Sequence, residues 1–227
     1  MVCPSPFIIR YLAKTLYIHV YCVLYKFVFT LYSSSCVKIH VLKHEFAGLE
    51  TTSTTLRWAL VLMSLNPEAQ KRVRQEIHDK IGHKRPPQIS DRVELPFTEA
   101  VLLEVQRIAT PLPQSAPHRA MKDVSLFGYD IPENSLVACN IYAVHRDPKL
   151  YADPQHFNPE ANFTRRDANG SLEIVNTEYL IPFGVGRRVC LSESLARQEL
   201  WIFFVGLMQR FEVSADAANP LPPPSVV

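Results

Sequence analysis

The sequence predicts a mainly α-helical fold with small β-sheets, an α+β class, over most of its 227 residues. Three features predict it. Apolar residues recur at helical spacing in the Gly-poor segments 46–110 and 191–211. In residues 111–145 the hydrophobic pattern instead has a shorter period, which is typical of strands. Residues 146–182 contain four prolines and are expected to be mostly irregular.

The helices and strands have recognisable ends. We expect one helix over 46–65, a second over 68–81 with Asn66 as N-cap and Pro67 at its first position, and a third over 97–110. The last long helix is expected over 191–211. Further signals predict a hairpin over 124–132 around Gly128, a strand over 135–139, an exposed turn over 167–170, and a non-helical tail at Pro222–Pro224.

The first part of the chain differs in composition from the rest. Residues 1–46 contain no Gly, nine of the 23 aromatic residues, and five basic residues against one acid, a net charge of +4. The remainder has 19 basic and 21 acidic residues, a net charge of −2. Such a shift marks a boundary. We therefore expect an apolar, aromatic-rich leader over 1–46 and a separate part over 47–227.

The leader contains a 17-residue apolar stretch, 15–31, that His19 and Lys26 interrupt. Spanning a bilayer takes about 20 apolar residues, and a central Lys opposes insertion. Three interpretations stay open: a poor membrane anchor, an apolar segment packed on the rest, or sequence foreign to the domain.

The whole composition excludes several classes of protein. Lys and Arg total 24 against 22 Asp and Glu, a net charge of +2, which argues against a nucleic-acid partner. Five cysteines without a CxxC pair argue against a disulfide scaffold and against a zinc ribbon or finger.

The candidate chemistry lies in residues 181–198, where a loop with Gly184 and Gly186 leads to Cys190 at the expected start of a helix. The glycines permit a tight backbone path, and the helix end favours a thiolate. A thiolate is a nucleophile or a metal ligand. The alternative is a small buried hydrophobic Cys. Arg188 is a strong partner for a carboxylate.

The string Phe183-x-x-Gly186-x-Arg188-x-Cys190 resembles the haem-thiolate signature of the cytochrome P450 superfamily. The resemblance implies that the cofactor is haem b, an iron protoporphyrin, and that Cys190 is the axial ligand of its iron. It also implies that Phe183, Gly184, Gly186 and Arg188 bind the cofactor.

Residues 47–52, Ala-Gly-Leu-Glu-Thr-Thr, resemble the oxygen-binding stretch of the family's long central helix. The resemblance implies that Gly48 leaves room for dioxygen, that Glu50 and Thr51 relay protons to it as catalytic residues, and that Ala47 lines the substrate. The alternative is an exposed, Thr-rich helix start at which Glu50 favours the positive helix end.

Glu104 and Arg107 resemble the family's ExxR motif, and residues 95–104 are similar to the microsomal family 2 type. Positions i and i+3 share one helix face, so the charges can pair, although most such pairs are surface ion pairs. The resemblance implies a buried, structural pair that locks the meander, the irregular segment under the haem.

Residues Leu112, Pro113, Gln114 and Ser115 resemble a substrate-lining turn that is followed by a haem-propionate donor. The resemblance assigns that donor role to His118, with Arg188 as its companion. The alternative for His118 is a strand-end His bonded to backbone.

Two positions depart from the family pattern. Phe157-Asn158-Pro159-Glu160 opens the meander, but Asn162 stands where an Arg or His is usual. We therefore expect an incomplete salt-bridge network unless Arg165 or Arg166 substitutes. Ser192 replaces the usual Gly two residues after the Cys.

The resemblance covers about residues 47–219, and family members are about twice as long as this chain. We therefore expect a partial cytochrome P450 fold, from the oxygen-binding helix to just past the haem-ligand helix, behind an unrelated leader.

The implied activity is that of a haem-thiolate monooxygenase acting on paired donors, which inserts one oxygen atom of dioxygen into an apolar organic substrate. The implied electron donor is a flavin reductase, docking near Arg72, Arg74 and Arg187. Those three residues are alternatively a solvated face. The implied location is the cytoplasmic face of the endoplasmic reticulum membrane. Two alternatives are a truncated, non-catalytic fragment with weak or no haem binding, and a small membrane-associated protein dominated by its leader.

Overall fold

The computed structural model describes residues 35–215, with side chains from Gly48 onward. The apolar stretch 15–31 and the tail at Pro222–Pro224 lie outside the described residues, so the predictions made for them stay predictions. Within residues 35–215 the fold is mainly helical with three small sheets, which confirms the predicted fold class.

Four long helices form the body of the described residues: α1 Ser35–Leu65, α2 Pro67–Lys80, α3 Pro96–Ala109 and α6 Glu193–Arg210. Two short helices, α4 Ile141–His145 and α5 Pro159–Phe163, lie between α3 and α6. The predicted start of α1 at residue 46 is wrong, because the helix already includes Ser35. The predicted boundary at 46/47 therefore lies inside a continuous helix, and it stays a prediction.

The break between α1 and α2 lies at Asn66 and Pro67, as predicted, but Asn66 does not cap α2 with its side chain. Its Nδ2 instead donates to the carbonyl of Leu62, 2.8 Å away, at the end of α1. Pro67 begins α2, where its missing N–H costs no hydrogen bond. The helix ends before Gly82, whose φ of +78° favours glycine.

Helix α3 lies at the centre of the described core, and 12 of its 14 residues are buried. One side packs with α1, α2 and α6 through residues that include Val101, Val105 and Trp201. The other side, through Ala100 and Leu103, packs in a second cluster with Tyr151, Phe163 and Leu180. Polar residues of α3 are therefore held between two apolar clusters.

The three sheets are antiparallel pairs of short strands. Strand β1 His118–Arg119 pairs with β4 Leu136–Val137, β2 Val124–Leu126 with β3 Tyr129–Ile131, and β5 Thr164–Arg166 with β6 Leu172–Ile174. The predicted hairpin around Gly128 is confirmed. Positive φ at both Phe127 and Gly128, 50° and 83°, gives the primed turn that matches strand twist.

The β5–β6 hairpin was not predicted, because strands of three residues are too short to show alternation. Its turn was predicted: the Asp167 carboxylate accepts the backbone N–H groups of Asn169 and Ser171, both at 2.8 Å. Within residues 35–215, no helix is both long enough and apolar enough to cross a bilayer.

Candidate functional site

The Cys190 loop, residues 181–192, is shaped by its own backbone. Gly184 N–H donates to the carbonyl of Ile181 at 3.0 Å, and Cys190 N–H donates to that of Phe183 at 2.9 Å. Gly184 and Gly186 have φ of +78° and +74°, in the left-handed region that favours glycine. This path leaves the Cys190 thiol exposed, so the buried-hydrophobe alternative is wrong.

The predicted position of Cys190 at a helix start is also wrong. Helix α6 begins at Glu193, with Ser192 as N-cap residue, and Cys190 lies in the preceding turn. The carbonyl of Cys190 accepts the Glu193 N–H at 3.3 Å. Ser192 has φ of −98°, which any residue adopts, so it replaces the family's Gly without backbone strain; its hydroxyl makes no capping bond.

The surroundings of the thiol fit a haem. A Cβ placed on Gly184 or Gly186 would meet no atom within 4 Å, so the backbone face beside the thiol is open. Val185 and Leu191 are 61% and 93% exposed and offer apolar edges. A soft thiolate suits iron, and an open apolar face suits a porphyrin ring. Among the described residues Arg188 makes no ion pair, so it can bind a carboxylate.

Phe183 is held from the side of α6. The guanidinium of Arg197 lies 4.9 Å from the centre of its ring, and Arg197 also pairs with Glu193 at 2.9 Å. This contact joins the loop to the first turns of α6 through a cation–π interaction.

His118 lies on β1 opposite Val137, and its side chain is exposed. In the described part of the chain its imidazole makes no hydrogen bond, so the alternative of a His bonded to backbone is wrong. The nearby predicted substrate turn runs along the surface, where Leu112 is 51% exposed and Pro113 and Gln114 are exposed. Ser115 Oγ accepts the Cys139 N–H at 2.8 Å.

Gly48, Glu50 and Thr51 lie inside α1, so the alternative of a helix start is wrong. The Thr51 hydroxyl donates to the carbonyl of Gly48 at 3.4 Å, and the exposed Glu50 carboxylate lies 3.5 Å from Arg57. A Cβ on Gly48 would meet no atom within 4 Å. The side chain of Ala47 lies outside what the structure describes.

Glu104 and Arg107 form a fully buried, two-point ion pair on α3. Arg107 Nε and Nη2 donate to the two carboxylate oxygens of Glu104, at 2.7 and 2.8 Å, and both side chains are 0% exposed. The surface ion-pair alternative is therefore wrong. A buried pair needs further hydrogen bonds to offset its loss of hydration.

Arg107 obtains those bonds from a stretch that begins before Phe157; we call residues 145–163 as a whole the meander. Its Nη1 donates to the carbonyls of His145 and Pro154 at 2.9 and 2.7 Å, and its Nη2 also donates to that of His156 at 3.1 Å. With the two bonds to Glu104, all five N–H groups of the guanidinium are used. The pair thus fastens an irregular segment to α3.

Asn162 completes this network from α5, although the sequence predicted a gap there. Its Nδ2 donates to Glu104 Oε1 at 3.0 Å, and Asn158 N–H donates to the same oxygen at 2.8 Å. Neither Arg165 nor Arg166 substitutes: Arg165 pairs with Glu173, and Arg166 donates to the Gly170 carbonyl. A neutral amide suffices because Glu104 is already neutralised by Arg107.

Three buried or half-buried polar residues beside this network were missed. They are Thr110, His145 and Arg146, which connect the end of α3 with α4 and with Ile181. None has a helical or strand periodicity to mark it. For His145 and Arg146 the only signal was the polar run His145-Arg146-Asp147 before a Pro, at the boundary between the strand-like segment 111–145 and the segment 146–182 predicted to be irregular.

The predicted docking cations are not equivalent. Arg72 donates to both oxygens of Glu160, at 2.7 and 3.1 Å, and lies over the Phe97 ring at 3.8 Å. Arg72 thereby holds the pKa of Glu160 below its ordinary value. Arg74 donates to the carbonyls of Met208 and Phe211. Of the three, only Arg187 is exposed and without a hydrogen bond to the described residues.

The structure therefore gathers some predicted site residues and not others. Glu104, Arg107 and the meander form one network. Among residues 48–215, no hydrogen bond or ion pair links Glu50 to the Cys190 loop, or His118 to Arg188.

Comparison with known proteins decides the family. The cytochrome P450 family model matches residues 31–226. The chain belongs to the cytochrome P450 family. Among its curated relatives are cytochrome P450 2U1 of Homo sapiens, 40% identical over 77% of this chain and 32% of the relative, and cytochrome P450 2D20 of Mesocricetus auratus, 46% identical over 78% and 34%. The predicted likeness to family 2 members is confirmed.

Solved structures agree on the fold. A zebrafish cytochrome P450 structure with abiraterone superposes with a TM-score of 0.66 and 42% identity, over 75% of this chain and 38% of that one. The chain thus spans about a third of the length of the curated P450 relatives it matches. Haem is the cofactor of this family.

Proposed function

We propose that this chain carries the haem-binding part of a haem-thiolate monooxygenase, with Cys190 as the iron ligand. The observation that carries the proposal is the Cys190 loop, in which two left-handed glycines and two backbone hydrogen bonds present an exposed thiol beside an open face. Bound haem supplies the iron that activates dioxygen for transfer of one oxygen atom to an apolar substrate.

The residues of the chain divide the work. Cys190 coordinates through its thiolate, the two loop glycines leave its face open, and Phe183 contributes to binding the cofactor. Arg188 and His118, exposed and without other polar partners among the described residues, bind the propionate carboxylates.

Residues on α1 handle protons and substrate. Glu50 and Thr51 hold and pass protons on α1, beside the open side of Gly48. Ala47 and the surface turn at 112–115 line the substrate.

Electrons come from a flavin reductase, for which Arg187 is the exposed cation of the predicted patch that makes no hydrogen bond to the described residues. The chain acts at the cytoplasmic face of the endoplasmic reticulum membrane, and its leader over 1–46 supports membrane association. Deleting residues 1–34, which contain the apolar stretch 15–31 and end before α1, tests the leader: partition into membrane vesicles should fall, and unchanged partition would remove the leader from this proposal.

The deciding experiment is the absorption spectrum of the purified chain with added haem, reduced and under carbon monoxide. We expect the red-shifted Soret band of thiolate ligation. Cys190→Ala should abolish it, whereas Cys139→Ala, the matched change at the second exposed Cys among the described residues, should leave it intact. A band that survives Cys190→Ala would show that the iron ligand is another residue.

A second candidate is a non-catalytic haem-free relative. The observation that favours it is the same exposure of the loop, because Val185, Val189 and Leu191 are all left uncovered. The spectrum separates the two: absence of any thiolate-type band in the unmodified chain supports the haem-free candidate.

A further inference from the structure

Thr110, the residue that follows α3, has an unusual backbone. Its φ of 35° and ψ of 63° place it in the left-handed region, which is strained for a β-branched residue. Glycine is the usual choice at such a helix end. The Thr110 hydroxyl supplies what glycine cannot: it donates to the Arg107 carbonyl at 2.6 Å and lies 3.0 Å from His145 Nδ1.

His145, at the end of α4, is 0% exposed and uses both ring nitrogens. Its Nε2 lies 3.0 Å from the backbone nitrogen of Ile181, which can only donate. Nε2 is therefore the acceptor, and the ring proton sits on Nδ1, from which it is donated to Thr110 Oγ1. The contacts form one chain, from Arg107 through Thr110 and His145 to Ile181.

Ile181 is the first residue of the Cys190 loop, and its own carbonyl accepts the Gly184 N–H at 3.0 Å. We infer that His145 is a positioning residue: as a neutral imidazole it fixes the entry of the Cys190 loop to the end of α3, and so directs the Cys190 thiol. The consequence for haem ligation rests on the function proposed above, whereas the consequence for loop order does not.

The surroundings of His145 keep it neutral. Burial, followed by the charges of Arg107 and Arg146, lowers its pKa to about 4. Arg146 is held nearby, since its Nη1 and Nη2 donate to the carbonyls of Arg107 and Ile108, both at 2.8 Å. A protonated ring would lose the acceptor that Ile181 N–H needs, so these cations favour the bridging form.

Two near-isosteric variants test the inference. In His145→Gln the amide oxygen can replace Nε2 and still accept the Ile181 N–H. In His145→Asn the shorter amide can replace only Nδ1 and its bond to Thr110. Hydrogen exchange is measured for peptides covering 181–190, with peptides of α3 as the reference.

We expect the Asn variant to exchange at Ile181 about tenfold faster than the wild type, and the Gln variant to stay within about threefold. Exchange in the first turns of α3, away from Thr110, should change equally in both variants. Equal acceleration at Ile181 in both variants would show that His145 acts only by filling space, and would overturn the inference.

A second readout tests the link to the thiol: the share of bound haem with the thiolate-type band, reduced and under carbon monoxide. It should fall in the Asn variant and be restored in the Gln variant. Equal shares in all three proteins would overturn the directing role while leaving the proposed function intact. If the wild type forms no such band, the proposed function fails, and the exchange difference still decides whether His145 orders the loop.

Discussion

Two neighbouring regions of this P450 chain are built in opposite ways. The meander, residues 145–163, is tied to α3 mainly by side chains: Arg107 donates to its carbonyls, Glu104 accepts from Asn158 and Asn162, and the Glu104–Arg107 pair itself is fully buried. The interior of the Cys190 loop is shaped mainly by its own backbone bonds, with side-chain contacts at Ile181 and Phe183, and Arg188, Cys190 and Leu191 are exposed.

In this comparison the meander contributes to the stability of the fold, and the Cys190 loop offers an exposed surface for a ligand. The buried charges fix the geometry of the meander, whereas the exposed Cys190 thiol makes no hydrogen bond to the described residues. Changes in the meander should therefore cost stability, whereas changes in the Cys190 loop should change ligand binding with little effect on folding. Three predictions test the meander side of this comparison, and a fourth concerns an exposed turn outside both regions.

The largest expected effect is at the buried pair. Arg107→Ala leaves the Glu104 carboxylate buried without its cation and three meander carbonyls without a donor, so unfolding free energy should fall by about 3–5 kcal/mol. Urea unfolding measures it. If the variant does not fold, Arg107→Lys serves, because its three donors cannot replace five.

The matched control is Arg165→Ala, which removes an exposed arginine paired with Glu173 at 3.3 Å. It should cost less than about 1 kcal/mol. Similar losses at both positions would contradict the contrast between the regions.

The second prediction concerns the loss of stability at low pH. The folded-state pKa of His145, about 4, lies below its ordinary value of 6.5, so the folded form takes up its proton later than the unfolded chain. The contribution of neutral His145 to the free energy of unfolding is fully present above pH 6.5. It is lost as pH falls toward 4, by about 3 kcal/mol in total. Urea unfolding at several pH values should show this slope, and His145→Gln should flatten it. An unchanged slope in that variant would assign the loss to other groups.

The third prediction concerns Asn162, the neutral residue at the position where the family usually has Arg or His. Asn162→Ala removes one bond to Glu104 and should cost about 1 kcal/mol of unfolding free energy. Asn162→Asp places a second carboxylate beside Glu104 and should cost more, about 3 kcal/mol. The exposed Asn169→Asp is the control and should be nearly neutral. A stable Asp variant would show that the network accepts another negative charge.

The smallest effect has the opposite sign. Phe127 is 94% exposed and holds φ of 50° before Gly128, a position at which Asn is preferred. Phe127→Asn should raise unfolding free energy by about 0.5 kcal/mol, measured by thermal melting. A loss of stability would mean that the ring is packed against another part of the chain.

The sequence predicted the elements that depend on local signals. Pro67, Gly82 and Gly128 mark helix and turn boundaries through their own backbone preferences. The spacing of the four residues Phe183, Gly186, Arg188 and Cys190 is specific enough to indicate the family without knowledge of their contacts in the fold. The predicted start of α1 was too far along the chain, because the change of composition at residue 46 was interpreted as a change of structure.

The rest depends on contacts between distant residues. Asn162 was interpreted as a missing charge, since nothing in its own neighbourhood shows that Arg107 already neutralises Glu104. His145 lies 36 residues from Ile181 in the chain. Pairings of that kind have no periodicity, so only the folded structure shows them.

The five bonds of Arg107 have a consequence for the order of folding. Its partners at His145, Pro154 and His156 are 38, 47 and 49 residues away, so one side chain closes three long loops at once. Closing them costs chain entropy before any bond is gained. The meander should therefore pack on α3 late in folding and in a single cooperative step, so that its three bonds to Arg107 form or break together.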